Sequence, residues 1–142
     1  MMDKVSMLNS NWTDIYYHLR HEYEEKITHQ SIRILQVIEK EPEAGIKKIA
    51  ECIQISHNTA SEHVKRLMKK KYVYKTRSLT DERKVVLKLT HLGEDILRKH
   101  TSLDENKLND IFNRLTDEET EIILTGFKLL KQKASESNVY SH

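Results

Sequence analysis

The sequence predicts a mainly α-helical fold carrying one small β-hairpin. Three observations lead there. Only three Gly and one Pro punctuate 142 residues, which favours long helices. Apolar residues recur at helical spacing through most of the chain. One stretch, Tyr72 to Thr90, instead alternates and is broken by a polar turn.

Taken in order, Trp12, Ile15, Tyr16, Leu19 and Tyr23 set a first helix over about Asn11 to Lys26. Thr28 is placed to cap a second, whose Ile32, Ile34, Leu35, Val37 and Ile38 give it a wide apolar arc and a central position. Pro42 and Gly45 mark its exit. A short third helix follows over Ile46 to Ile53, with Ile49, Ala50 and Ile53 inward, and Ala50 small enough for a close helix crossing. Ser56 caps a fourth, running to about Lys70, with Ala60, Val64, Leu67 and Met68 on its buried side.

Two strands come next, Tyr72 to Ser78 and Lys84 to Thr90, joined by a turn at Leu79-Thr80-Asp81-Glu82. In the second strand Val85, Leu87 and Leu89 are expected on one face, Lys84, Val86 and Lys88 on the other. Thr90 opens a long fifth helix extending through Leu103 to Phe112. The capping box from Thr116 to Glu119 opens a sixth, and the tail from Ser135 is expected to fray. The third and fourth helices with the hairpin make a winged helix-turn-helix. The first, fifth and sixth helices carry apolar faces with no place in so small a domain, so a dimer interface is expected.

Charge is unevenly spread. Residues 56 to 91 hold ten Lys or Arg against three Asp or Glu, a net of +7, whereas the chain as a whole is +2 and the remainder is −5. That asymmetry points to a polyanionic partner. At 37% apolar and 32% charged the chain is polar for a compact monomer, which suits an elongated helical subunit. There is no run of about 18 apolar residues, and the first twenty are too polar for a signal segment. A soluble, cytoplasmic protein is expected, and the single Cys52 excludes an internal disulfide.

The start of the fourth helix carries short donor and acceptor side chains: Ser56, His57, Asn58, Thr59, Ser61 and Glu62. Asn58 suits adenine and Glu62 suits cytosine in a major groove, while Lys65 and Arg66, further along, suit phosphates. The bland alternative is a capped helix with an ordinary Glu62–Arg66 pair on a solvated face. The hairpin is positive through Lys75, Arg77, Arg83, Lys84 and Lys88. Arg83 at its tip suits a narrow minor groove, and Asp81 is expected to orient Arg83 or Arg77 rather than meet phosphate. Its bland alternative is a charged hairpin protecting a strand edge.

From Ile27 to Leu97 the chain resembles the MarR family of bacterial transcription regulators. The matching features are Ile49-Ala50, Ile55-Ser56, Thr59 with Ser61, Val64 with Leu67, Arg77, Asp81-x-Arg83, and Leu89-Thr90 with Gly93. The resemblance implies a triangular homodimer on a pseudo-palindromic duplex, with each recognition helix in a major groove and each wing in a minor groove. It also implies repression relieved by a small molecule, oxidant or metal. On this reading residues 1–142 form one domain, with a DNA-binding lobe at 28–90 and dimerisation helices at 5–27 and 91–135. One position departs from the pattern: Lys71 stands where relatives usually have Gly, so either the helix ends differently or Lys71 adopts a left-handed conformation.

The release signal is less legible. Trp12, Tyr16, Tyr17 and Tyr23 are candidates for an effector pocket, but their spacing also suits a dimer core, which is the favoured reading. Cys52 has no partner cysteine and reads as a structural thiol. His18 and His21, with Glu22 or Glu25, do not make a metal motif, nor do His91 and His100, so no metal and no cofactor is expected. No Gly-rich phosphate loop, nucleophile elbow or set of catalytic residues is present, so the chain is not expected to be an enzyme. The alternative to a DNA-binding regulator is a winged-helix protein-interaction module.

Overall fold

The computed structural model describes residues 3–22 and 26–137. The order is α1 (Lys4–Leu19), α2 (His29–Lys40), α3 (Ile46–Ile53), α4 (His57–Lys69), β1 (Val73–Arg77), β2 (Val85–Leu89), α5 (His91–Thr101), α6 (Glu105–Arg114) and α7 (Asp117–Ser137). The chain divides into two compact units. One contains α2 to β2 with α5, the other α1, α6 and α7. No described helix is long and apolar enough to cross a membrane.

The first unit has a continuous core. Ile32, Ile34, Leu35 and Ile38 of α2 meet Ile49, Ala50 and Ile53 of α3, Ala60, Val64 and Leu67 of α4, Val73 and Leu87 of the strands, and Ile96 and Leu97 of α5. Helix α5, assigned by sequence to the dimerisation segment 91–135, thus packs into the lobe. Local chemistry sets each boundary. Thr28 accepts from the Ser31 N–H, Ser56 from Thr59 and Thr90 from Gly93. Helix α3 ends at Gln54, which is left-handed at φ 58.

Lys71 resolves the fork left by the sequence: it is left-handed, at φ 66. Its N–H donates to the Met68 carbonyl and the Tyr72 N–H donates to Leu67, the paired bonds that close a helix C-terminus around a left-handed residue.

The strands pair antiparallel, with Val73 opposite Leu89, Lys75 opposite Leu87 and Arg77 opposite Val85. Val85, Leu87 and Leu89 share one face of β2 as expected, opposite Arg77, Lys75 and Val73, but burial does not follow that face. Val86 is buried and Val85 is exposed. The Leu87 N–H donates to the Ala44 carbonyl, so the α2–α3 loop is tied to β2 by a backbone bond.

Three further expectations are corrected. The first helix begins at Lys4, capped by Asp3, and ends at Leu19 rather than near Lys26. The long fifth helix is two helices. Asp104 caps α6 by accepting from the Asn106 and Lys107 N–H groups, while its own N–H donates to Leu19. The last helix continues through Ser135 to Ser137. The capping box is formed as read: Thr116 and Glu119 exchange side-chain to N–H bonds.

The second unit differs in kind. Among its described residues none is buried. Leu8, Trp12 and Ile15 of α1 and Ile122, Phe127 and Leu130 of α7 line an open apolar groove of about 810 Å³.

Candidate nucleic-acid interface

Helix α4 presents its polar start outward. Ser56, His57, Asn58, Thr59, Glu62, Lys65 and Arg66 are exposed and Ser61 is half-buried, while Ala60, Val64 and Leu67 anchor the opposite side. The core therefore fixes which face of α4 is free. The Ser56 hydroxyl is committed to the cap: it accepts from Thr59 N–H and donates to Thr59 Oγ1 at 2.8 Å. Arg66 is held by His63, whose Nδ1 lies 3.0 Å from the guanidinium.

The wing is basic on the same face that anchors it. Lys75 and Arg77 follow Val73 at alternate positions of β1 and are exposed where Val73 is buried. The turn is closed by Ser78 N–H to the Lys84 carbonyl and Lys84 N–H to the Asp81 carbonyl. Arg83 is 91% exposed, and its partner among the two expected for Asp81 is now defined. Asp81 Oδ1 accepts from Arg83 N–H at 3.1 Å and from Arg83 Nε at 3.2 Å. The backbone bond first, then the side-chain bond, hold the Asp81 carboxyl below its usual range.

Sequence reasoning missed the base of this turn. Ser78 is the one buried polar side chain among the described residues. Its hydroxyl donates to Glu43 Oε2 at 2.5 Å and accepts from the Thr80 and Asp81 N–H groups. Glu43 Oε1 accepts from the Leu79 N–H. The Ser78 hydroxyl, chiefly, and the Leu79 N–H lower the Glu43 carboxyl from its ordinary value. The only signal available was the pair of carboxylates flanking Pro42, which says nothing about a partner so far along the chain.

The aromatic candidates separate. Trp12 stacks on Tyr16 at 6.5 Å and meets Phe127 at 6.4 Å. Tyr17 lies against His18 and under Arg20. Trp12 alone of the four lines the apolar groove among described residues, and Tyr23 lies outside them. Cys52 is half-buried against the lobe core, and burial pushes its thiol up. The described residues include no group of three or more His, Cys, Asp or Glu placed to hold a metal ion.

A helix-turn-helix followed by a braced basic hairpin defines a winged-helix regulator of the MarR type, and solved structures agree. The transcriptional regulator Tm0710 from Thermotoga maritima is similar at a TM-score of 0.58 and 28% identity, over 78% of each chain. FabT from Streptococcus pneumoniae, solved in complex with DNA, shares the fold at a TM-score of 0.54 and 23% identity, over 93% of this chain and 92% of that one. So does ZitR, a zinc-responsive MarR family member of Lactococcus lactis, at a TM-score of 0.51 and 21% identity, over 89% of this chain and 96% of that one.

The family model for the transcriptional regulators SarA/Rot matches residues 16–99, more than half of the chain, and the protein belongs to that family. It is 34% identical over 95 residues to the HTH-type transcriptional regulator SarZ of Staphylococcus epidermidis, covering 67% of this chain and 63% of that protein. SarZ of Staphylococcus aureus is 31% identical over 99 residues, covering 63% of this chain and 67% of that one. The match thus spans somewhat under two thirds of the S. epidermidis relative's length.

Proposed function

We propose that the chain is the subunit of a homodimeric, sequence-specific DNA-binding transcriptional regulator acting in the cytoplasm. The observation that carries the reading is the pairing of an exposed polar α4 start with an Arg83 tip already braced by Asp81, both inside a segment of net charge +7. Asn58, Ser61 and Glu62, with His57 and Thr59, would read the major groove. Lys65, Arg66, Lys75, Arg77 and Lys84 would meet phosphates, and Arg83 would enter the minor groove. A protein-interaction module is disfavoured because this face is polar and basic rather than apolar or acidic.

The dimer is supported by the unit that holds α1, α6 and α7. It has no buried described residue and shows Ile122 at 71% and Phe127 at 45% exposure. Gly126 lies in the same groove, where an added Cβ would meet nothing within 4 Å. A glycine inside a helix costs about 1 kcal/mol relative to Ala. Nothing among the described residues requires it, and a second surface lying close against the helix would. To read both half-sites of one duplex, the two α4 helices of such a dimer must sit roughly 34 Å apart, one helical turn. An effector that changes that spacing would release DNA, which makes repression the favoured mode.

Selecting bound fragments from the source genome, with sedimentation of the free protein, tests this. A dimer and a palindrome with half-sites about 10 base pairs apart are expected. A monomer, or no sequence preference at physiological salt, would defeat it.

A further inference from the structure

Glu43 sits in the α2–α3 loop at φ 52, a backbone conformation that glycine adopts freely and other residues resist. What Glu offers there that glycine lacks is a carboxylate. Both of its oxygens are used on the wing: Oε2 by the Ser78 hydroxyl at 2.5 Å and Oε1 by the Leu79 N–H at 3.1 Å. The Ser78 hydroxyl, 4% exposed as a residue, is saturated, with its proton given to Glu43 and its lone pairs taken by the Thr80 and Asp81 N–H groups. The same loop holds β2 through the Leu87 N–H and the Ala44 carbonyl at 2.8 Å.

We infer that Glu43 is a positioning residue for the wing, fixing through Ser78 the turn that presents Arg83. The inference rests on the DNA-binding reading. Hydrogen bonds joined through the residue Asp81 lead from the loop to the guanidinium: Ser78 donates to Glu43, the Asp81 N–H donates to Ser78, and the Asp81 carboxylate accepts from Arg83. A two-stranded ribbon is marginal by itself, and a loose tip must be ordered at the moment of binding. Tying the tip to the loop that also leads into α3 removes that cost. It also gives the wing and the helix-turn-helix a common anchor.

The test combines Glu43→Ala, Glu43→Gln and Ser78→Ala. Two quantities are read: amide hydrogen exchange at Leu79, Thr80 and Asp81, and affinity for the tightest duplex selected from random-sequence DNA. Hydroxyl-radical and dimethyl sulfate footprints report the minor and major grooves separately. Glu43→Ala and Ser78→Ala are expected to speed exchange at the turn, weaken binding about tenfold and lose minor-groove protection. Major-groove protection by α4 is expected to survive. Glu43→Gln keeps one acceptor oxygen and is expected to restore part of each loss. If Glu43→Ala fails to fold, Glu43→Gly removes the carboxylate while relieving the left-handed backbone.

Unchanged exchange at the turn overturns the inference. So does faster exchange with affinity and minor-groove protection intact, and so does equal loss in both grooves. A wild-type protein that binds no selected duplex defeats the DNA-binding reading itself and the inference with it. Wild-type binding that all the variants match defeats the inference alone.

Discussion

Asp81 holds Arg83 twice through a single carboxylate oxygen, once at the backbone N–H and once at Nε. The arrangement leaves the far side of the guanidinium open while fixing the direction in which it leaves the turn. If the turn faces DNA as proposed, an aspartate there would lower affinity if charge alone counted. Here Asp81→Ala is expected to weaken DNA binding about tenfold with only a small loss of thermal stability. Arg83→Ala is expected to lower the slope of log affinity against log salt by about one, and Asp81→Ala to leave that slope alone. Anisotropy titrations over a salt series measure both. Tighter binding by Asp81→Ala would show that repulsion, not bracing, dominates.

The left-handed backbone at Lys71 ends α4, and Lys71 holds it without the freedom of glycine. Lys71→Gly is expected to stabilise the protein by about 1 kcal/mol, raising Tm by roughly 3 °C. A lower Tm in thermal unfolding would mean that the flexibility glycine gives the unfolded chain outweighs the relieved strain.

Gly93 shows the opposite constraint. A Cβ there would fall 2.0 Å from the Tyr72 carbonyl oxygen, which already accepts from the Thr90 N–H. Backbone cannot rotate away as a side chain can, so α5 must shift. Gly93→Ala is expected to cost about 1–3 kcal/mol, read as a lower denaturant midpoint. An unchanged midpoint would mean that α5 moves freely against Tyr72.

Acid should weaken the fold. The carboxyls of Glu43, Asp81, Asp95 and Asp104 are all lowered, chiefly by bonds from Ser78, Arg83 N–H, Arg98 and Lys107 N–H respectively. A lowered folded pKa means that the stabilisation is complete above the unfolded values of 4.5 for Glu and 3.8 for Asp. It is lost as pH falls through the still lower folded values. Urea midpoints measured from pH 7 downward are expected to fall below about pH 4.5, and Glu43→Gln to flatten that fall. Midpoints rising on acidification would contradict the assignment.

What could be read from the sequence was what repeats or caps locally. The apolar spacing of Ile46, Ile49, Ala50 and Ile53 defined α3 to the residue. Ser56, Thr28, Thr90 and Thr116 announced helix starts because a short oxygen-bearing side chain beside an apolar run has little else to do. The break before α6 escaped because Leu103 and Leu108 sustain a helical rhythm across it, and the capping Asp104 falls within that rhythm. Val86 escaped because the segment that covers its strand comes from another part of the chain. Glu43 escaped for the same reason: its partners lie 35 and 36 residues away, and nothing local to it is periodic.

The open groove between α1 and α7 has a consequence beyond recognition. Helices without a single buried described side chain have little of their own to resist unfolding. If a second copy supplies the missing core, folding of this unit and assembly become one equilibrium governed by mass action. Each tenfold dilution then removes about 1.4 kcal/mol from the assembled form per mole of dimer. A cell that makes less of this regulator would also make it less durable, so occupancy at its sites would fall more steeply than its abundance.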